Sequence, residues 1–92
     1  MTMDDKIRAR AVRIISDLAK IANRMDPDDR YFIVSFSIDC SRHIGDYLLV
    51  KVMPTDTTVP GYLCSTPIRT LTDEKLDGIW KDAVNIMDEL SK

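Results

Sequence analysis

Apolar residues recur at Ile7, Ala11, Ile14, Ile15, Leu18, Ile21, Ala22 and Met25. This 3.6-residue period predicts an amphipathic helix over about residues 3–25. Thr2 and Asp5 stand three apart, as in a capping box with Asp in the Glu position, and Pro27 disfavours helical geometry at Asp26 and stops the helix there. From Arg30 the period drops to two. Phe32, Val34, Phe36 and Ile38 alternate with Ile33, Ser35, Ser37 and Asp39, which predicts a half-buried strand. Ser41 to Asp46, with Gly45, supplies a turn. A second strand follows, with Leu48, Val50 and Val52 on one face and Tyr47, Leu49, Lys51 and Met53 on the other, and Pro54 ends it. If the bulkier sets share the core face, hairpin register sets Ile38 opposite Leu48, Phe36 opposite Val50 and Val34 opposite Val52. Pro60-Gly61 suits the centre of a type II turn, and Tyr62 to Ile68 reads as a third strand that Pro67 confines to an edge. The last helix opens with Thr72 as N-cap, Asp73 and Glu74 complementing the dipole, and Leu71 stapled to Leu76. Its core stripe is Leu76, Ile79, Trp80, Ala83, Val84, Met87 and Leu90, while Gly78 falls on the exposed side.

The economical arrangement of these elements is a two-layer α+β fold of order αβββα, in which a three-stranded antiparallel meander carries both helices on one face. Residues 1–92 are expected to form a single compact domain, because no repeat, low-complexity tract or long linker interrupts them. At 92 residues and 45% apolar content the chain supports one core but not a separate catalytic domain. No unbroken apolar run exceeds four residues, so no membrane-spanning helix is expected. The acidic start Met1-Thr2-Met3-Asp4-Asp5 lacks the basic and apolar blocks of a secretory signal, which suggests a cytoplasmic protein.

Candidate chemistry is sparse. Cys40 and Cys64 form no Cys-x-x-Cys pair and His43 is the only histidine, so no zinc site or other metal centre is expected. In a meander the two thiols lie too far apart to bridge, and both are expected to be free. Asp39-Cys40-Ser41-Arg42-His43 gathers an acid, a thiol, a hydroxyl and an imidazole, but on the approach to a hairpin turn where polar residues are ordinary. Gly45, Gly61 and Gly78 are too scattered for a phosphate cradle, and Asp26, Asp28 and Asp29 lack the spacing of a calcium loop and read as a solvated turn. Neither catalysis nor a cofactor is therefore expected.

Two surfaces remain. On the first helix Lys6, Arg10, Arg13, Lys20 and Arg24 share a flank about 27 Å long, with Asp17 the only acid among them and placed to pair with Arg13. The net charge of −2 hides this asymmetry: residues 1–24 carry six cations and three acids, residues 72–92 three and six. Such a stripe can neutralise nucleic-acid phosphates. The other surface is the sheet face turned away from the helices, where Ile33 stands opposite Met53 and Ser37 opposite Leu49, with Tyr31, Tyr47 and Lys51 beside them. That composition suits a protein interface, unless the loop from Pro54 to Pro60 folds over it.

The order αβββα over residues 3–91 resembles the double-stranded-RNA-binding domain in arrangement. The resemblance implies a phosphate grip at the start of the second helix, where that family carries a Lys-Lys-x-Ala-Lys type cluster; the matching segment here is Thr72-Asp73-Glu74-Lys75-Leu76, with acids at the contact. The arrangement is also similar to that of small phage-encoded inhibitors, including some anti-CRISPR proteins. The expectation is a small non-enzymatic interaction module, an accessory or inhibitor-type protein that binds a partner protein or itself as a homodimer through the outer sheet face. The alternative is a nucleic-acid binder that uses the first-helix stripe.

Overall fold

The computed structural model describes residues 3–92, with side chains from residue 5 onward. The elements run α1 (Met3–Met25), β1 (Phe32–Ser41), β2 (Gly45–Pro54), β3 (Tyr62–Pro67), a single 3-10 turn (Ile68–Thr70) and α2 (Asp73–Leu90). The expected αβββα order and α+β class hold, with an open antiparallel sheet of strand order β1-β2-β3. The register is the one the alternation requires: Val34 pairs with Val52, Phe36 with Val50 and Ile38 with Leu48.

Even-numbered residues of the strands face the helices. Leu48, Val50 and Val52 on the central strand are wholly buried, against Ile7, Ala11, Ile14, Leu18 and Ala22 of α1 and Leu76, Ile79, Ala83 and Met87 of α2. Val34, Phe36 and Ile38 on β1 are only half-buried, because an edge strand has a neighbour on one side alone. An odd number of antiparallel strands separates the helices, so they run in the same direction. Arg10, in the first half of α1, accordingly meets Asp73 and Asp77 at the start of α2, at 2.8 and 3.6 Å.

The junction between α1 and β1 is built on Asp26, which is buried although the aspartates around Pro27 read as a solvated turn. Its backbone N–H continues the helix to the carbonyl of Ala22, and its carboxylate turns inward. Oδ1 accepts from the N–H of Arg30 at 2.9 Å, and Oδ2 from those of Tyr31 and Phe32 at 2.9 and 3.0 Å. The intervening turn needs a left-handed residue and uses Asp29 at φ 54°, a conformation Asp tolerates better than most side chains. Burial opposes ionisation of Asp26, but the N–H donors of Phe32, Tyr31 and Arg30 and the Arg30 charge outweigh it and hold the carboxyl below its usual 3.8.

Three local expectations need correction. Pro60-Gly61 forms no type II turn, because Gly61 does not take the positive φ such a turn requires; Gly45, at φ 75°, does. Gly61 is needed for space instead: a Cβ there would lie 2.5 Å from the Val52 carbonyl and 2.9 Å from the Pro54 ring. The third strand stops at Pro67, one residue short of the expected end. Ile68 enters the 3-10 turn, where it is buried and where Thr70 Oγ1 donates to the Pro67 carbonyl. Trp80, expected in the core, is 37% exposed. It follows Ile79 by one residue and is turned about 100° from it, onto the flank that carries Asp73 and Asp77 toward α1. The α2 N-cap forms as expected, with Thr72 Oγ1 accepting from the Lys75 N–H at 3.2 Å, while the Thr2 end of the α1 capping box lies outside the described residues.

Replacing Asp26 by Ala should cost about 2–4 kcal/mol in denaturant unfolding, since it strands N–H groups at a buried junction. The lowered carboxyl ties this stability to pH: it is complete well above 3.8 and is lost as pH falls through the folded value, a loss that Asp26→Ala should not show. Gly78→Ala should stabilise by roughly 0.5–1 kcal/mol, read as a raised Tm, because a Cβ there meets nothing within 4 Å and helical glycine is entropically costly.

Candidate functional site

The odd-numbered side chains of the sheet project from its uncovered face. Ile33 pairs with Met53; on the central strand Lys51 pairs with Ser35 and Leu63 on either side, Leu49 with Ser37 and Ser65, and Tyr47 with Asp39 and Pro67. Leu63 is 65% exposed, Ile33 56% and Met53 45%, with Tyr31 also exposed; Tyr47, Leu49 and Lys51 are half-buried among their neighbours. The structure thus gathers all six expected interface residues on one surface and adds Leu63, whose place follows from extending the odd-numbered alternation into β3.

The loop after Pro54 leaves this face open. Thr55 turns toward the strand junction, its N–H donating to the Tyr31 carbonyl and its Oγ1 to that of Arg30. Beyond it Asp56 folds the loop on itself by accepting from both the hydroxyl and the N–H of Thr58, contacts that lower its pKa. Among charged groups on the face, Asp39 accepts from Ser37 Oγ at 3.0 Å, and Lys51 and Asp39 take part in no ion pair.

The basic flank of α1 is not a uniform cationic stripe. Lys6, Arg13, Lys20 and Arg24 are exposed, but Arg10 is engaged by Asp73 and Asp77, which brings the acidic start of α2 against the stripe. The expected ion pair of Arg13 with Asp17 does not form. At the start of α2, Lys75 Nζ donates to the Thr70 carbonyl at 3.0 Å and so holds the preceding turn.

The reactive side chains near the first hairpin do not converge. Cys40 and Cys64 are both free. Cys64 stands level with Val50 and Phe36, four residues along β1 from Cys40. Ser41 Oγ accepts from the His43 backbone N–H and shapes the turn, Asp39 binds Ser37, and no hydrogen bond joins Cys40 to His43. A concavity of about 490 Å³ lies at this hairpin tip, lined by Arg8, His43, Asp46, Arg69 and others, with Arg8 ion-paired to Asp46. A smaller one of about 240 Å³ runs between β3 and α2 past Cys64 and Gly78. Beside it burial pushes the Tyr62 phenol up to about 12, with Cys64 and Asp82 adding to the effect, so it is neutral at physiological pH. Among the described residues no cluster of three or more His, Cys, Asp or Glu could hold a metal ion, and no helix is long and apolar enough to cross a membrane.

The fold and its exposed face define a small two-layer α+β domain with an open sheet. No family model, curated protein or solved structure matches the chain, so the likeness to the double-stranded-RNA-binding domain is one of element order alone.

Cys40, exposed and without a base beside it, should react with a disulfide reagent at the rate of an ordinary surface thiol. His43→Ala should leave that rate unchanged; a marked slowing would show that the imidazole activates the thiol.

Proposed function

We propose that this chain is a non-enzymatic protein-interaction module, an accessory or inhibitor-type protein whose contact surface for a partner protein is the outer face of its sheet. The observation that carries this reading is the pair Ile33–Met53, with Leu63 diagonal to Met53 on β3 beside Lys51, each of the three 45% or more exposed, on a face that neither helix nor loop covers. An exposed trio of this kind, flanked by Tyr31, Tyr47, Leu49 and the single cation Lys51, has the make-up of an interface centre with a sparse polar rim. Its partner is a surface that offers apolar side chains of its own and needs little charge matching.

The sheet face is preferred over the α1 stripe on electrostatic grounds. Of the five cations on that stripe, Arg10 is held by two α2 carboxylates, and Asp17 interrupts the rest. A phosphate backbone approaching α1 would meet those acids as well.

A photo-crosslinking residue at position 63 should give a discrete adduct in cells, while the same residue at position 20 on α1 should not. The double substitution Leu63→Glu with Met53→Glu should abolish capture of the protein identified in that adduct, with a thermal transition within about 1 kcal/mol of the parent because both side chains are exposed. Adducts at position 20 but not at position 63 would transfer the function to the helix.

A further inference from the structure

The cleft between β3 and α2 has a wall that packing does not account for. Gly78 sits inside α2, where glycine is entropically costly, and a Cβ there would meet nothing within 4 Å. No contact within the fold demands glycine at this position. What lies beside it is the concavity of about 240 Å³, lined by Cys64 and Thr66 of β3, by Leu71, and by Lys75, Ile79 and Asp82 of α2. The missing side chain leaves the helix backbone bare along one side of that space. Leu71 and Ile79, both buried, give it an apolar lining.

The rim carries opposite charges at its two ends. Asp82 lies close enough to Tyr62 to help raise its phenol, whereas Lys75 lies toward the other end of β3, with Nζ donating to the Thr70 carbonyl at 3.0 Å. Seven residues of helix set the two about 10 Å apart. Asp82 takes part in no ion pair among the described residues, and Lys75 Nζ keeps two donors beyond the one it gives Thr70.

The free edge of β3 adjoins this cleft, and the register fixes which of its polar groups are open. The Tyr31 carbonyl accepts from the Thr55 N–H, so odd-numbered residues of β2 turn their N–H and C=O groups to β1 and even-numbered ones turn theirs to β3. Tyr62, Cys64 and Thr66 answer the even set. The N–H and C=O groups of Leu63 and Ser65 therefore point away from the sheet, and Pro67 ends the row.

From these observations we infer that the β3 edge and its cleft receive a short extended segment of a partner protein as a fourth, antiparallel strand, with one large apolar side chain lodged beside Gly78. The features of the segment follow from its placement. Leu63 and Ser65 supply its backbone hydrogen bonds. The residue opposite Cys64 shares the helix-side face with Cys64, so its side chain enters the cleft. The residues opposite Thr66 and Tyr62 share that face about 14 Å apart, a separation that long side chains close against Lys75 and Asp82. The first is an acid and the second a base, so the segment reads acid-x-apolar-x-base from its N-terminal end. Strand addition of this kind takes affinity from the main chain and specificity from alternate side chains. This site does not rest on the outer-face reading: Leu63 contributes its backbone here and its side chain there.

The probe is the peptide Thr-Glu-Thr-Leu-Thr-Lys-Thr, blocked at both ends and titrated to about 5 mM against the isotopically labelled chain. The amides of Leu63 and Ser65 should shift and gain exchange protection. Replacing the peptide's Leu by Ser, or exchanging its Glu and Lys, should weaken binding at least about fivefold. In the protein, Gly78→Leu should lower the affinity at least about tenfold with Tm unchanged or raised, since a side chain at this open helical position does not clash and falls across the cleft. Met53→Glu, on the outer face, should leave the affinity as it is. Absence of shifts at about 5 mM overturns the inference. So do shifts confined to Ile33, Lys51 and Met53, equal binding of the charge-exchanged peptide, or full affinity in Gly78→Leu. None of these outcomes bears on the crosslink at position 63, which reads the outer face separately.

Discussion

The carboxylate of Asp26 is the fixed point of this molecule. A helix that ends against a sheet must release its last carbonyls and deliver the chain into a strand with its N–H groups satisfied, and here one side chain serves both the turn and the strand entrance. Its three acceptor contacts set where β1 begins, and with a period of two the starting residue decides which face every later side chain takes. A shift of one residue at Phe32 would turn Val34, Phe36 and Ile38 away from the helices and bring Ile33 and Ser35 inward. The buried ion thus acts on register as much as on stability. Negative charge is tolerated there because the donors are backbone groups that have nowhere else to go.

The pairing of the two helices follows from the same topology. Running in one direction, they place like ends of their dipoles side by side, which is mildly unfavourable. Asp73 and Glu74 offset the positive end of α2, and Arg10 of α1 answers Asp73 and Asp77 across the seam. These contacts are exposed and individually weak, so the apolar layer below carries the stability. Their effect falls on the surface: a flank that is cationic along the linear sequence becomes a mixed field once α2 lies beside it.

Much of this was legible from residue patterns. The strand register, the hairpin, the α2 cap and the contents of the outer face follow from period and side-chain size, which are local properties. The misreadings share a cause. Gly61 beside Pro60 suggests a turn, whereas its constraint is the Val52 carbonyl, a contact between strands that no local pattern contains. Trp80 belongs to the apolar stripe by hydrophobicity but lies at its margin by angle, turned about 100° from Ile79, and is partly exposed there. Asp26 looked like one of three solvated acids because burial depends on where the chain goes next. Leu63 follows from the same alternation once β3 is given two faces, since its odd number sets it beside Lys51 on the outer side.

The position of Trp80 has a practical meaning. It is the only indole in the chain, and it stands half in water on the flank of α2 that faces α1. Its emission therefore samples the joint between the helices, a region remote from the outer side of the sheet. Loosening of that joint would redden the fluorescence, whereas a ligand settling on the far face would leave the spectrum dark to the event. The protein carries an internal optical gauge that separates a change in helix docking from occupation of the sheet.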